Sequence, residues 1–444
     1  MAAPAPATDR RNRMDTTRTT ATDTTEARRQ GPRPLPLHLM TAAWACLSSP
    51  GGLALLRQNL LPLKPDLRAD AAALLDELKR VDPAKFALAL SDEARRLLDQ
   101  LAAGIQAYRR HPYRRNLSDP PVVWRQGTTR LVDYGGPEDG LPVLMVPSLI
   151  NRSYILDLSR ERSLARHLAA LGLRPLLVDW DRPGDQERRF TLSDYIAGRL
   201  EDALDETVKL TKQRPAVLGY CMGGNLALAL AERRRRDIVG LALLATPWDF
   251  HAGTRVRYEQ IMPAMAPGMA AWLEALGELP VDALQMMFYA LDPFLVIRKF
   301  RQFASLDPES EKARAFVSLE DWLNDGVPLA GPVTQECMQG WYGENLPAKG
   351  AWRVAGRPVD PARIELPTLI LVPSRDRIVP PASAAALLPA MPGAMAISPP
   401  LGHIGMVVAE SASRYAWKPL TDFLRSLGAK PRTARAGRGL GGSV

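Results

Sequence analysis

From residue 128 onward, short apolar runs alternate with longer amphipathic stretches. Runs of strand length fall at 129–134, 143–146, 176–180, 216–219, 241–245, 369–372 and 394–397. Such alternation predicts an α/β fold, a mostly parallel sheet with helices on both faces. Ahead of it, residues 37–116 read as a helical N-terminal region, with apolar residues at helical spacing in 71–78 and 94–101. The alternation stops between Phe250 and Glu365, in a segment rich in Met, Trp and Phe, for example at 284–291. An insertion there, after one buried strand and before the next, is where a sheet of this kind grows a cap. The organisation expected is a tail at 1–36, helices at 37–116, a catalytic core at 117–249 and 366–427, a cap at 250–365 and a tail at 428–444. No internal repeat is visible.

One turn in this pattern carries chemistry. Gly219-Tyr220-Cys221-Met222-Gly223-Gly224 follows the apolar run 215–218 and precedes the helix-prone segment 225–231. Strand, sharp turn and helix in that order form the context of a nucleophile elbow, where flanking glycines let the backbone lift the central side chain above the sheet. Taken alone, the pattern also fits a buried cysteine at a glycine-rich turn. An elbow site needs an acid and a histidine later in the chain, in that order. Asp376 follows the run 369–372, at the carboxyl end of a strand, where open α/β sheets carry their sites. His403 lies beyond the last strand, between Gly402 and Gly405, and is the one histidine of five that follows the acid strand. Cys221, Asp376 and His403 are therefore the candidate nucleophile, acid and base. A histidine neighbour and a helix N-terminus both favour a thiolate. An acyl group held as a thioester stays activated for transfer to a second acceptor. The oxyanion that develops needs backbone donors, and the N–H of Met222 is one candidate.

Over about residues 105–427 the chain resembles the polyhydroxyalkanoate synthases, a family with the α/β-hydrolase fold. The resemblance rests on the segment 146–158, on Val178-Asp179-Trp180 with 192–196, on Thr246-Pro247-Trp248-Asp249-Phe250, on 355–360 and on Gly402-His403-Ile404-Gly405-Met406. It implies that Cys221 bears the acyl group, that His403 is its base and Asp376 the partner carboxylate. It also implies that the N–H of Ile150 is the second oxyanion donor. The substrate would be (R)-3-hydroxyacyl-CoA and the acceptor nascent polyester, with no metal or further cofactor. The family commonly has a histidine where this chain has Arg377. With water as acceptor, the same residues would give a Cys-dependent esterase, thioesterase or intracellular polyester depolymerase. A non-catalytic granule-associated protein is the alternative from another class, and the intact Cys221/Asp376/His403 set argues against it. The region before the catalytic fold is shorter than in synthases that act alone, which leaves a second synthase subunit open as a partner, beside a homodimer.

Charge and cysteine content narrow the picture further. The formal net charge of +9 is concentrated at the ends: seven arginines against four acids in 1–36, and four basic residues with no acid in 430–444. Segments so rich in Pro, Thr, Ala and Gly read as disordered. A nucleic-acid domain would concentrate its basic residues on the fold itself, so no nucleic-acid partner is expected. Arg233-Arg234-Arg235-Arg236 reads as a solvated helix end favoured by the helix dipole. Three widely spaced cysteines (Cys46, Cys221, Cys337) argue against a disulfide framework and for a reducing cytoplasm. No run of 18 or more apolar residues predicts a membrane span, and the first residues lack the apolar stretch of a secretory signal. The expected location is cytoplasmic, at the surface of polyester granules.

Overall fold

The computed structural model describes residues 29–254 and 256–428. Its centre is an eight-stranded sheet of β1 (Val122–Gln126), β2 (Thr129–Asp133), β3 (Pro142–Val146), β4 (Arg174–Asp179), β5 (Ala216–Tyr220), β6 (Gly240–Leu244), β7 (Thr368–Leu371) and β8 (Met395–Ile397). The spatial order is β1-β2-β4-β3-β5-β6-β7-β8. The strands from β4 through β8 pair in parallel, while β1 and β2 are antiparallel. Seven of the strands match the apolar runs. β1 was not legible because it is an edge strand with mixed, largely exposed side chains.

The central strands are apolar on both faces, as a doubly covered parallel sheet requires. Leu144 and Val146 of β3 face one core, and Val143 and Met145 face the other. Helix Met222–Arg233 lies in the first core and is buried almost throughout. Between β6 and β7 the chain builds the helices Tyr258–Leu276, Val281–Leu291, Leu295–Phe303 and Glu311–Asn324.

The N-terminal helices do not stand apart from this insertion. Ala42, Leu101, Ile105 and Tyr108 share a third core with Phe300, Phe303, Ala313 and Val317. Leu101, Gly104, Ile105 and Tyr108 form the buried stripe of the long helix Pro83–Arg110, at spacings of three and four residues. Gly104 brings that helix against Leu295–Phe303 so closely that a Cβ would lie 2.0 Å from the Phe300 carbonyl oxygen.

Two expectations need correction. The N-terminal tail was drawn through residue 36, but residues 29–36 are packed against the fold. The Arg29 guanidinium pairs with Asp321 at 2.6 Å and donates to the carbonyls of His111 and Tyr113. The Arg33 N–H donates to Asn324 Oδ1 at 3.0 Å, and its side chain pairs with Asp282 at 2.9 Å. Proline and arginine at the edge of a basic segment gave no sign of partners some 290 residues away. The remainder of the tail, 1–28, and the residues beyond Gly428 lie outside the described residues.

The arginine run is a solvated helix end only in part: Arg235 and Arg236 are exposed, but Arg233 and Arg234 are not. Arg233 is largely buried and pairs with Glu201 at 2.5 Å. Arg234 pairs with Asp205 and with Asp237, and Arg235 donates to the Arg363 carbonyl. Glu201 and Asp205, some 30 residues away, were invisible to a reading of local charge.

Among the described residues no single helix is long and apolar enough to cross a membrane. The pair Leu35–Leu47 and Ser49–Arg57, bent by 48°, passes together by length and composition.

Candidate active site

Cys221 stands at the carboxyl end of β5, with its own N–H donating to the Leu244 carbonyl of β6 at 2.9 Å. Its backbone takes φ 56° and ψ −130°, a conformation that costs a non-glycine residue about 1–3 kcal/mol. The strain therefore falls on the cysteine, not on the glycines beside it, none of which has a positive φ. The glycines serve a different need, close approach. A Cβ on Gly219 would meet Gly224 Cα at 2.5 Å, one on Gly223 the Val146 oxygen at 2.1 Å, and one on Gly224 the Thr246 Oγ1 at 1.8 Å. Helix Met222–Arg233 can begin directly after Cys221 only because these three positions lack side chains.

Asp376 follows β7 and is buried. Its Oδ1 accepts from the N–H groups of Ile378 and Val379 at 2.8 and 2.9 Å. Its Oδ2 lies 2.7 Å from His403 Nδ1. Because that contact occupies Nδ1, Nε2 is the ring nitrogen left for Cys221, which lines the same cavity as His403. Burial alone would lower the pKa of His403. The neighbouring Cys221 and the hydrogen bond to Asp376 outweigh it, and the pKa is raised to about 10. The three residues named from the sequence are thus brought together in chain order.

Of the two backbone donors, Met222 opens the elbow helix. The Ile150 N–H already donates to Ser148 Oγ at 3.0 Å, so it reaches an oxyanion only if that hydroxyl turns aside. The loop carrying both residues is pinned at each end. Trp180 Nε1 donates to the Pro147 carbonyl at 3.0 Å, and Trp322 Nε1 donates to the Arg152 carbonyl at 2.8 Å.

Above the elbow lies a cavity of about 280 Å³. Cys221 and His403 line its sheet side, Phe288 and Leu295 its insertion side, and Pro32 and His38 a third wall. Cys221 is half-buried at this wall. Part of the insertion's apolar content lies away from the cavity: Met286 and Phe294 are 51% and 47% exposed. Arg377 also lines the cavity and pairs with Asp292 at 3.2 Å, its side chain mostly in solvent.

Three features were missed in the sequence. Tyr220 donates its hydroxyl to the His403 carbonyl at 3.2 Å and packs beside the ring, and its place in the elbow motif was the available signal. Asp249, in the loop after β6, is taken up by Asn345 and by the N–H groups of His251 and Ala252, so it does not compete with Asp376 for His403. The wall formed by residues 32–38 had no signal. Among the described residues no group of three or more His, Cys, Asp or Glu side chains is placed to hold a metal ion.

The α/β hydrolase fold family matches residues 142–408. A poly(3-hydroxyalkanoate) polymerase subunit PhaC from Synechocystis is 32% identical over 62% of this chain and 75% of its own length. The subunit of the same name from Haloferax mediterranei is 29% identical over 68% of this chain and 63% of its own. Among solved structures, a monoacylglycerol lipase from Paleococcus ferrophilus covers 67% of this chain and 99% of its own, with 18% identity and a TM-score of 0.44. The chain therefore belongs to the α/β-hydrolase fold family and, within it, to the poly(3-hydroxyalkanoate) polymerases.

Proposed function

We propose that this polymerase builds polyester from (R)-3-hydroxyacyl-CoA through an acyl-enzyme on Cys221. The observation that carries the reading is the His403–Asp376 hydrogen bond beside Cys221, with Cys221 and His403 lining one largely apolar cavity. The Cys221 thiolate attacks the thioester carbonyl, the C–S bond to CoA breaks, and CoA leaves as a thiol after taking a proton from His403. The N–H of Met222 steadies the intermediate oxygen. Ile150 joins it once Ser148 releases its N–H. A hydroxyl of the second chain then attacks the acyl-cysteine while His403 accepts its proton. The new oxoester is more stable than the thioester it replaces, so growth runs forward. An apolar cavity that limits water favours transfer over hydrolysis. Asp376 holds the imidazole in the tautomer that presents Nε2 to sulfur.

Purified protein given (R)-3-hydroxybutyryl-CoA, with CoA and polymer scored separately, tests the reading. Polymer formed in step with CoA is the expected result. CoA without polymer would make water the acceptor and the enzyme a thioesterase. Neither product would remove Cys221 from acyl transfer.

A further inference from the structure

A second cavity, also of about 280 Å³, lies behind helix Leu295–Phe303. Two elements face both cavities. Helix Leu295–Phe303 gives Val296 and Lys299 to the cavity over Cys221, and Ile297 and Arg301 to the second. Helix Leu35–Leu47 gives His38 to the first, and Ala45 and Cys46 to the second. Leu90, Leu97 and Leu98 of helix Pro83–Arg110 complete the apolar wall. The acyl-transfer chemistry makes no use of this second space.

Charge along its lining is unbalanced at one residue. Arg298 pairs with Asp292 at 2.6 Å. Glu93 feels the charge of Arg301, but both its oxygens are taken up by Arg96, at 2.5 and 2.7 Å. Arg301 is half-buried. Among the described residues its one hydrogen bond runs from Nε to Gln100 Oε1 at 3.2 Å, a neutral acceptor. Its two terminal nitrogens thus keep their donors free, and such a planar fork matches the two oxygens of a carboxylate. An unfilled guanidinium fork beside leucine and isoleucine side chains suits a ligand with one negative charge on an aliphatic body.

We propose that the second cavity binds a straight-chain aliphatic carboxylate, with its head on Arg301 and its tail against Leu97, Leu98 and Ile297. Because helix Leu295–Phe303 walls both cavities, occupancy of the second alters access to Cys221 in the first. This effector site goes beyond the acyl-transfer reading and does not depend on it.

Two cysteines already stand where the test needs them, Cys46 in the second cavity and Cys221 in the first. Octanoate is titrated into the full-length protein, and alkylation of each cysteine by iodoacetamide is followed by mass spectrometry. Calorimetry gives the affinity. Octanoate should slow Cys46 alkylation in a saturable way and change the Cys221 rate over the same concentration range. Octanol, which lacks the charge, and acetate, which lacks the tail, should do neither. Arg301→Gln should weaken octanoate binding by about 10- to 100-fold, the range expected for hydrogen bonds to a charged group. Arg301→Lys, with charge but no fork, should fall between. Ala45→Phe fills the space and should abolish binding with Arg301 intact, and melting curves show whether each variant is folded. No protection of Cys46, octanol binding as tight as octanoate, or undiminished binding in Arg301→Gln overturns the site. An unchanged Cys221 rate, or a Cys221 effect that persists in Arg301→Gln, overturns the coupling between the two cavities.

Discussion

Cys221 and His403 form the part of the molecule where single atoms decide the outcome. Cys221→Ala should abolish CoA release with the fold retained, because alanine has no thiol and fits the turn. The other two cysteines sit away from the cavity, and burial pushes the Cys337 thiol well above its ordinary range. Mass spectrometry after brief treatment with iodoacetamide at neutral pH should therefore find Cys221 modified well before Cys337. Equal modification of the two would contradict an activated Cys221. The raised pKa of His403 sets a pH dependence with a definite sign. The charged ring favours the fold fully below its ordinary value of 6.5, and that contribution is lost as pH rises through about 10. The melting temperature of the wild type should fall between pH 7 and 10 by more than that of His403→Gln. Parallel curves for the two proteins would show that the imidazolium is not held by its neighbours.

Packing of whole elements explains which parts of this fold a reader of the sequence could find. The five strands β3 to β7 announced themselves because a strand buried on both faces must be apolar at nearly every position. β2 and the edge strand β8 showed only as short apolar runs. The elbow was legible because strand, turn and helix run together in six residues, and the acid and histidine because each follows an apolar strand. The reason given for the elbow's glycines was different from the one observed: the unusual torsion belongs to Cys221, and the glycines make room for Val146, Thr246 and one another. β1 stayed hidden because an edge strand needs no apolar face. The contact of Pro83–Arg110 with Leu295–Phe303 was equally hidden, since nothing local to Gly104 tells of the Phe300 carbonyl it meets. Gly104→Ala would force those helices apart and should cost about 1–3 kcal/mol, the usual range for overpacking a close contact. Urea denaturation would measure it. A neutral result would mean that the helices slide freely on one another.

At the scale of the whole molecule, the N-terminal helices and the insertion between β6 and β7 form one unit through a shared core, set over the sheet with the cavity between them. Hydrogen exchange should show the helices Tyr258–Leu276 and Val281–Leu291 opening sooner than β3, β5 and β6, since much of their surface is exposed while the strands are buried on both sides. Equal protection would indicate a permanent entrance and no moving cover. The segment 29–33 ties the unit together at Asp321 and Asn324. Arg29→Met should lower stability by about 1–3 kcal/mol through loss of charged hydrogen bonds, measurable as a fall in melting temperature.

The tie between Arg29 and Asp321 spans 292 positions along the chain. Residues at the start of this segment leave the ribosome early, whereas the helix that receives them is made much later. At ordinary translation rates of about 5–20 residues per second, that is a wait of roughly 15–60 s. During that interval Arg29, Pro32 and His38 have no wall to join, and the elbow at Cys221 is synthesised before either side of its cavity is closed. Completion of the cavity is therefore a late event in the life of the nascent chain, after helix Glu311–Asn324 has emerged, and a ribosome stalled before that point would hold Cys221 at an open surface.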